Sequence, residues 1–208
     1  MKDLSLPDQI DLIGTILSRN SISPRRLALP GPNRGQILKM IAAACAAPDH
    51  RRLQPWRFIC IANDNRDGLA DLFEAAARET HGTMTAAETQ RAREKAQYGA
   101  TLIAVVAEIK TDLADVPPHE QWVSVGAAVQ NILLAAQALG FGAMIVSGDK
   151  VRTKALRAGL GLSDSEALVG FVAMGTPTKP ARDKARPDPK TVMSDWPENT
   201  LPNHGAVK

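Results

Sequence analysis

The sequence predicts one domain in which helices and a single sheet share a core, and two observations predict it. The chain has 208 residues, 44% of them hydrophobic, which suits one core better than two. Four short segments are apolar and largely β-branched or aromatic: Phe58 to Ile61, Leu102 to Ala107, Ala143 to Val146 and Leu168 to Met174. Such segments read as strands, and four of them are expected to join in one sheet.

The remaining segments follow helical spacing. Pro7 to Asn20 carries Ile10, Ile13, Ile16 and Leu17 on one stripe with Pro7 near its start, and it delivers Arg19 to its C-terminal end. The next stretch, punctuated by Pro30, Gly31 and Pro32, suits a surface connection. Asn33 with Gln36 three residues on predicts a capped second helix, with Ile37, Met40, Ile41, Ala44 and Cys45 on its apolar stripe and Pro48 ending it. Charged, alanine-rich helices are expected at about Arg66 to Glu79 and Ala86 to Gln97. Gln121 to Leu139 is apolar nearly all round, so it is expected to be buried on several sides, in the domain centre or a dimer interface. From Thr176 the chain is proline-rich and predicted to be extended, and Trp196 within it favours an arm that wraps a partner.

Composition narrows the function. A formal charge of +3 could suggest nucleic acid, yet the basic residues are spread among acids and aromatics are only 4%, too few for a stacking platform. A small anionic ligand explains the excess more simply. No stretch is apolar enough to cross a bilayer, and Met1 to Pro7 lacks the features of a signal peptide, so a cytoplasmic protein is expected. Cys45 and Cys60 lack metal-ligand spacing and read as core filler. Four histidines without paired ligands argue against metal hydrolysis, and phosphate-loop, dinucleotide-fold, serine-elbow and zinc-protease signatures are absent from the sequence. A bound organic cofactor could carry the chemistry instead.

Four segments could hold one. Arg19-Asn20-Ser21 combines a guanidinium, an amide and a hydroxyl suited to a phosphate, although Arg19 could equally be a favourable helix end. Ala47 to Phe58 puts His50, Gln54 and Trp56 just before a strand, where polar groups could read a heteroaromatic edge. There Asp49 and His50 could instead cap turns, and Trp56 is better read as core. Gly140-Phe141-Gly142 leads into a strand ending at Ser147-Gly148, where glycine permits close approach of a flat ligand or merely forms a helix cap and loop. Lys184 and Arg186 add two late cations that a solvated tail would also explain.

In this order the segments resemble the nitroreductase family of FMN-dependent oxidoreductases, especially its compact bacterial members. The resemblance runs from about Ile10 to Pro189 and is densest at Ala47-Pro48-Asp49-His50 with Gln54-Pro55-Trp56, then Gly140-Phe141-Gly142, Ser147-Gly148, and Gly170-Phe171 through Gly175-Thr176-Pro177. It implies an α+β fold, a three-layer sandwich with a mostly antiparallel central sheet flanked by helices, filling residues 1–208 with an extended arm from about 176. It further implies an intertwined homodimer with two flavin sites at the interface and the helix from Gln121 as a main dimer element.

By the same resemblance, Arg19 and Ser21 meet the FMN phosphate with Asn20 between them. His50 and Gln54 reach the flavin from the partner subunit. Ile145, Val146, Ser147 and Gly148 run along the ring, with a backbone N–H near Gly148 steadying N5. Arg186, with Lys184, finishes the phosphate site. Members often carry a basic residue where Asn20 stands, so Arg25 or Arg26 is a candidate for the missing charge; Ile145 and Val146 replace polar or aromatic residues, so the acceptor does not carry over. The implied reaction is ping-pong: NADH or NADPH gives hydride to the flavin and leaves, and a nitroaromatic, quinone or activated alkene takes its place. Relatives that dehydrogenate a metabolite or fragment flavin, a non-catalytic flavin-binding dimer and an RNA-binding protein are the competing readings. No metal, membrane or nucleic-acid partner is expected.

Overall fold

Alternation along three strands creates two cores in the computed structural model, which describes residues 11–181 and 185–196. The helices are α1 (Leu12–Ser18), α2 (Arg34–Cys45), α3 (Arg66–His81), α4 (Ala86–Glu94), α5 (Pro118–Ala138) and α6 (Lys154–Gly159). The strands are β1 (Leu27–Ala28), β2 (Trp56–Ile61), β3 (Thr101–Glu108), β4 (Gly142–Val146) and β5 (Glu166–Pro177). Successive side chains of a strand point to opposite faces. Ile103, Val105, Val172 and Met174 therefore pack with α2 and α5 on one face, and Leu102, Ala104, Phe171 and Ala173 with α3 and Leu156 of α6 on the other. The result is an α+β sandwich of three layers.

All strand pairs are antiparallel. The order is β1-β5-β3-β2, with β4 also paired to β5. Sheet pairing extends the four expected strands by one to five residues, and adds β1, whose two residues are too few to leave a periodic signal. The helices at Arg66 and Ala86 form as expected, and Asn33 with Gln36 makes a complete capping box at α2. The short α6 was not expected; Thr153 caps it with its hydroxyl.

Three expectations need correction. Cys45 and Cys60 are both exposed, because β2 is an edge strand and the end of α2 beside it is uncovered in the single chain. The long helix buries one face through Gln121, Val125, Ala128, Ile132 and Ala136, but its opposite face leaves Trp122 44% and Val123 71% exposed, so it is not enclosed on several sides by its own chain. It also starts earlier, at Pro118, whose fixed φ and missing N–H suit a first turn. The Pro7 start of the first helix lies outside the described residues.

Candidate functional site

Arg19 is the residue that ends α1, and its position is set from α5. Gln137 donates from Nε2 to the Thr15 carbonyl and the Ser18 hydroxyl, both at 3.0 Å. The Ile22 N–H then donates to the Ala143 carbonyl at 3.2 Å, which lays residues 19–22 along β4. From the far end of the chain, Arg186 donates to the Arg19 carbonyl at 2.7 Å and the Asn20 side-chain oxygen at 3.3 Å. Arg19 Nη1 lies 3.5 Å from Ser21 Oγ. Two guanidiniums, an amide and a hydroxyl thus meet beside a cavity of about 250 Å³ lined by Arg19, Asn20, Gln137 and Gly140 to Ala143. Among the described residues no carboxylate lines it, and that donor set fits a phosphate, which bidentate and charge-assisted bonds hold best.

The neighbouring stretch suits a flat ligand. Ile145 faces the α2–α5 core and Val146 the α3 core. Ser147 turns its hydroxyl back to the Val169 carbonyl at 2.9 Å. Gly148 has φ 110°, where a side chain would be strained, and nothing stands within 4 Å of where a Cβ would project. Its N–H has no acceptor among the described residues.

His50 and Gln54 lie elsewhere. His50 Nδ1 is 2.9 Å from Glu120 Oε2 at the start of α5, whereas Arg19 is anchored through Gln137 near its end. At 1.5 Å per residue, those 17 positions amount to about 25 Å along the axis. One chain therefore does not bring the two groups together. The loop that carries them is nevertheless tightly shaped: Arg51, Arg52 and Gln54 have φ of 61°, 55° and 50°, unusual for residues with side chains. Asp49 holds it by accepting from the Gln54 N–H at 2.7 Å, and Arg51 pairs with Asp115. Beside this loop lies the larger cavity, about 660 Å³, lined by Cys45, Asp49, Arg52, Gln54, Trp56 and Cys60 among others. Trp56 is half-buried against the α2–α5 core.

Arg26 is committed to the Lys179 and Pro180 carbonyls, and Arg25 lies over the Tyr98 ring at 4.9 Å. Lys184 lies outside the described residues. Gln137 and Glu120 were missed in the sequence, since a polar residue on a mainly apolar helix carries no local mark of its distant partner.

The Nitroreductase family model matches residues 16–176. The chain belongs to the nitroreductase family. A Haemophilus influenzae protein named "Putative NAD(P)H nitroreductase" is 34% identical over 164 residues, 79% of this chain and 88% of that relative. Among solved structures, a nitroreductase-like family protein of Bacillus cereus superposes with a TM-score of 0.77 at 20% identity, covering 92% of this chain and 98% of its own. A Desulfovibrio desulfuricans protein in complex with FMN gives 0.67 at 25% identity, covering 90% and 98%. For this nitroreductase family member, no helix among the described residues is long and apolar enough to cross a membrane.

Proposed function

We propose that this chain is an FMN-dependent oxidoreductase that draws electrons from NADH or NADPH and passes them to a small acceptor such as a nitroaromatic, a quinone or an activated alkene. The observation that carries the reading is the meeting of Arg19, Asn20, Ser21 and Arg186 at one end of β4, a phosphate-shaped donor set that leads onto Ile145 to Gly148. FMN bound there would supply the two-electron chemistry. The protein's part is to bind and orient: the guanidiniums take the phosphate charge, Ile145 and Val146 present an apolar strand end, and the Gly148 N–H offers a donor to a ring edge. Donor and acceptor share one place in turn, which gives ping-pong kinetics and parallel double-reciprocal plots.

The second element of the proposal is a homodimer. His50 and Gln54 stand about 25 Å along α5 from Arg19, so they serve a flavin only by reaching the site of another copy. Exposed Trp122 and Val123 on α5, and Trp196 of the arm at 95% exposure, supply the apolar surface such a pairing needs.

The visible absorption spectrum of purified protein, measured with its size-exclusion mass, tests both parts. Flavin bands near one FMN per subunit on a dimer are expected; a colourless monomer that takes up no added FMN overturns the reading. Changing Arg19 to Ala is expected to weaken FMN binding by about tenfold to a hundredfold, the worth of a charged hydrogen bond, while far-UV dichroism stays unchanged. Unaltered affinity in an FMN titration removes Arg19 from the site.

A further inference from the structure

Helix α1 is turned inside out. Its polar side meets its own chain: Gly14 and Thr15 are half-buried, and Gln137 of α5 holds the Thr15 carbonyl and the Ser18 hydroxyl. Its apolar side faces away, with Leu12 59%, Ile13 71%, Ile16 44% and Leu17 67% exposed, and no residue of the helix is buried. At spacings of three and four residues these side chains form a single stripe. A contiguous apolar stripe of that kind marks an interaction surface. The groove between α2 and β2, about 660 Å³, offers a matching one, with an apolar wall of Ile37, Leu38, Ile41, Trp56 and Phe58. Its charges are unbalanced. Arg57 is taken up by Glu166 and Asp49 by the Gln54 N–H, whereas Arg34 and Arg52 form no ion pair among the described residues. The exposed Asp11, which caps α1 by accepting from the Gly14 N–H at 2.7 Å, carries the opposite sign.

We infer that α1 of one protomer seats its apolar stripe in the α2–β2 groove of a second copy. The inference rests on the homodimer proposed above and names surfaces which that proposal leaves open. In that pairing the loop carrying His50 and Gln54 reaches the partner's Arg19. Arg19 is the residue on which α1 ends, and the groove begins at the same loop, since Asp49, Arg52 and Gln54 belong to its wall. A helix of seven residues is about 10 Å long, so a loop that meets Arg19 brings the helix behind it within reach of the groove. Asp11 then comes toward the unpaired Arg34 and Arg52, and two-fold symmetry repeats the contact with the roles exchanged. Because Arg19 and Ser21 follow directly on α1, seating the helix also steadies the phosphate cradle, so pairing and phosphate binding strengthen one another. Cys45 and Cys60, exposed in the single chain, both line the groove and are covered in the pair.

Those two thiols, the only cysteines of the chain, report what fills the groove. In the purified dimer they are expected to react with Ellman's reagent about tenfold more slowly than in Ile13→Glu, since a covered thiol reacts only in the open fraction. Ile13→Glu is expected to elute as a monomer with unchanged far-UV dichroism, because Ile13 is exposed in its own chain. Leu17→Cys, treated with a short bismaleimide, is expected to give a covalent dimer on a denaturing gel and to lose it when Cys45 and Cys60 are both changed to Ser. Three results overturn the inference and leave the homodimer standing: a dimer whose thiols react as fast as those of Ile13→Glu, a dimer that survives Ile13→Glu, or a covalent dimer from Trp196→Cys in place of Leu17→Cys, which would make the arm the occupant. Native protein that elutes as a monomer overturns the pairing and this inference together.

Discussion

Single residues carry the unbalanced charges of this molecule, and Lys150 is the clearest. Its ammonium sits at about 8 against an ordinary 10.5 because burial disfavours the charged form. Between those two values the unfolded chain holds the proton and the folded chain does not, so this residue makes stability rise with pH across that window. Lys150→Met is expected to melt higher than the parent at pH 7, with the gap narrowing toward pH 10; a gap independent of pH, measured by thermal melts at several values, refutes this. Residue-level legibility was uneven. Arg19, Ser21 and Arg186 were legible through the family resemblance, since residue chemistry alone left a helix end and a solvated tail open, and the fold does gather them. Lys150 was not, since only the crossing of α3 and β5 places the Phe73 and Phe171 rings beneath it. Cys45 and Cys60 misled for a related reason: apolar neighbours in sequence say nothing about whether a strand lies at a sheet edge.

Elements register where charge and shape lock them together. Arg57 of β2 donates from Nη2 to Glu166 of β5 at 2.8 Å and to the Gly161 carbonyl at 3.2 Å, and Glu166 also accepts from the Ser163 N–H at 2.9 Å. The guanidinium holds that carboxyl down at about 2. Because the folded value lies below the unfolded one, the contribution is present at neutral pH and is lost as pH falls from about 4.5 toward 2. Glu166→Gln is expected to be less stable at pH 7 and to lose less on acidification, as denaturant melts at pH 7 and pH 3 would show. A second lock is steric: a Cβ on Gly170 would stand 2.6 Å from the Val146 carbonyl oxygen. Gly170→Ala is therefore expected to loosen β4 from β5 and to speed amide exchange at residues 143–146; unchanged exchange would show that the strands give way freely. Periodicity revealed most of these elements because each long one buries one face, as α2 does through Ile37, Met40 and Ala44. It failed at β1 and α6, two and six residues long, which owe their form to what they rest on.

At the scale of the whole molecule, α5 acts as the ruler. It sets His50 near one end and Arg19 near the other, while Trp122 and Val123 face outward between them. On the proposed pairing, in which each site takes its neighbour's loop, Val123→Glu is expected to halve the mass seen by size exclusion and to reduce bound flavin without altering the helical content. A monomer with full flavin would separate pairing from cofactor binding. The arm adds a constraint of timing. Residue 186 closes what residue 19 begins, so the cradle joins segments 167 residues apart. During synthesis residue 19 emerges well before residue 186, so the first half of that cradle waits for the second. A ligand that needs both guanidiniums can be gripped only once residue 186 has been made and folded back.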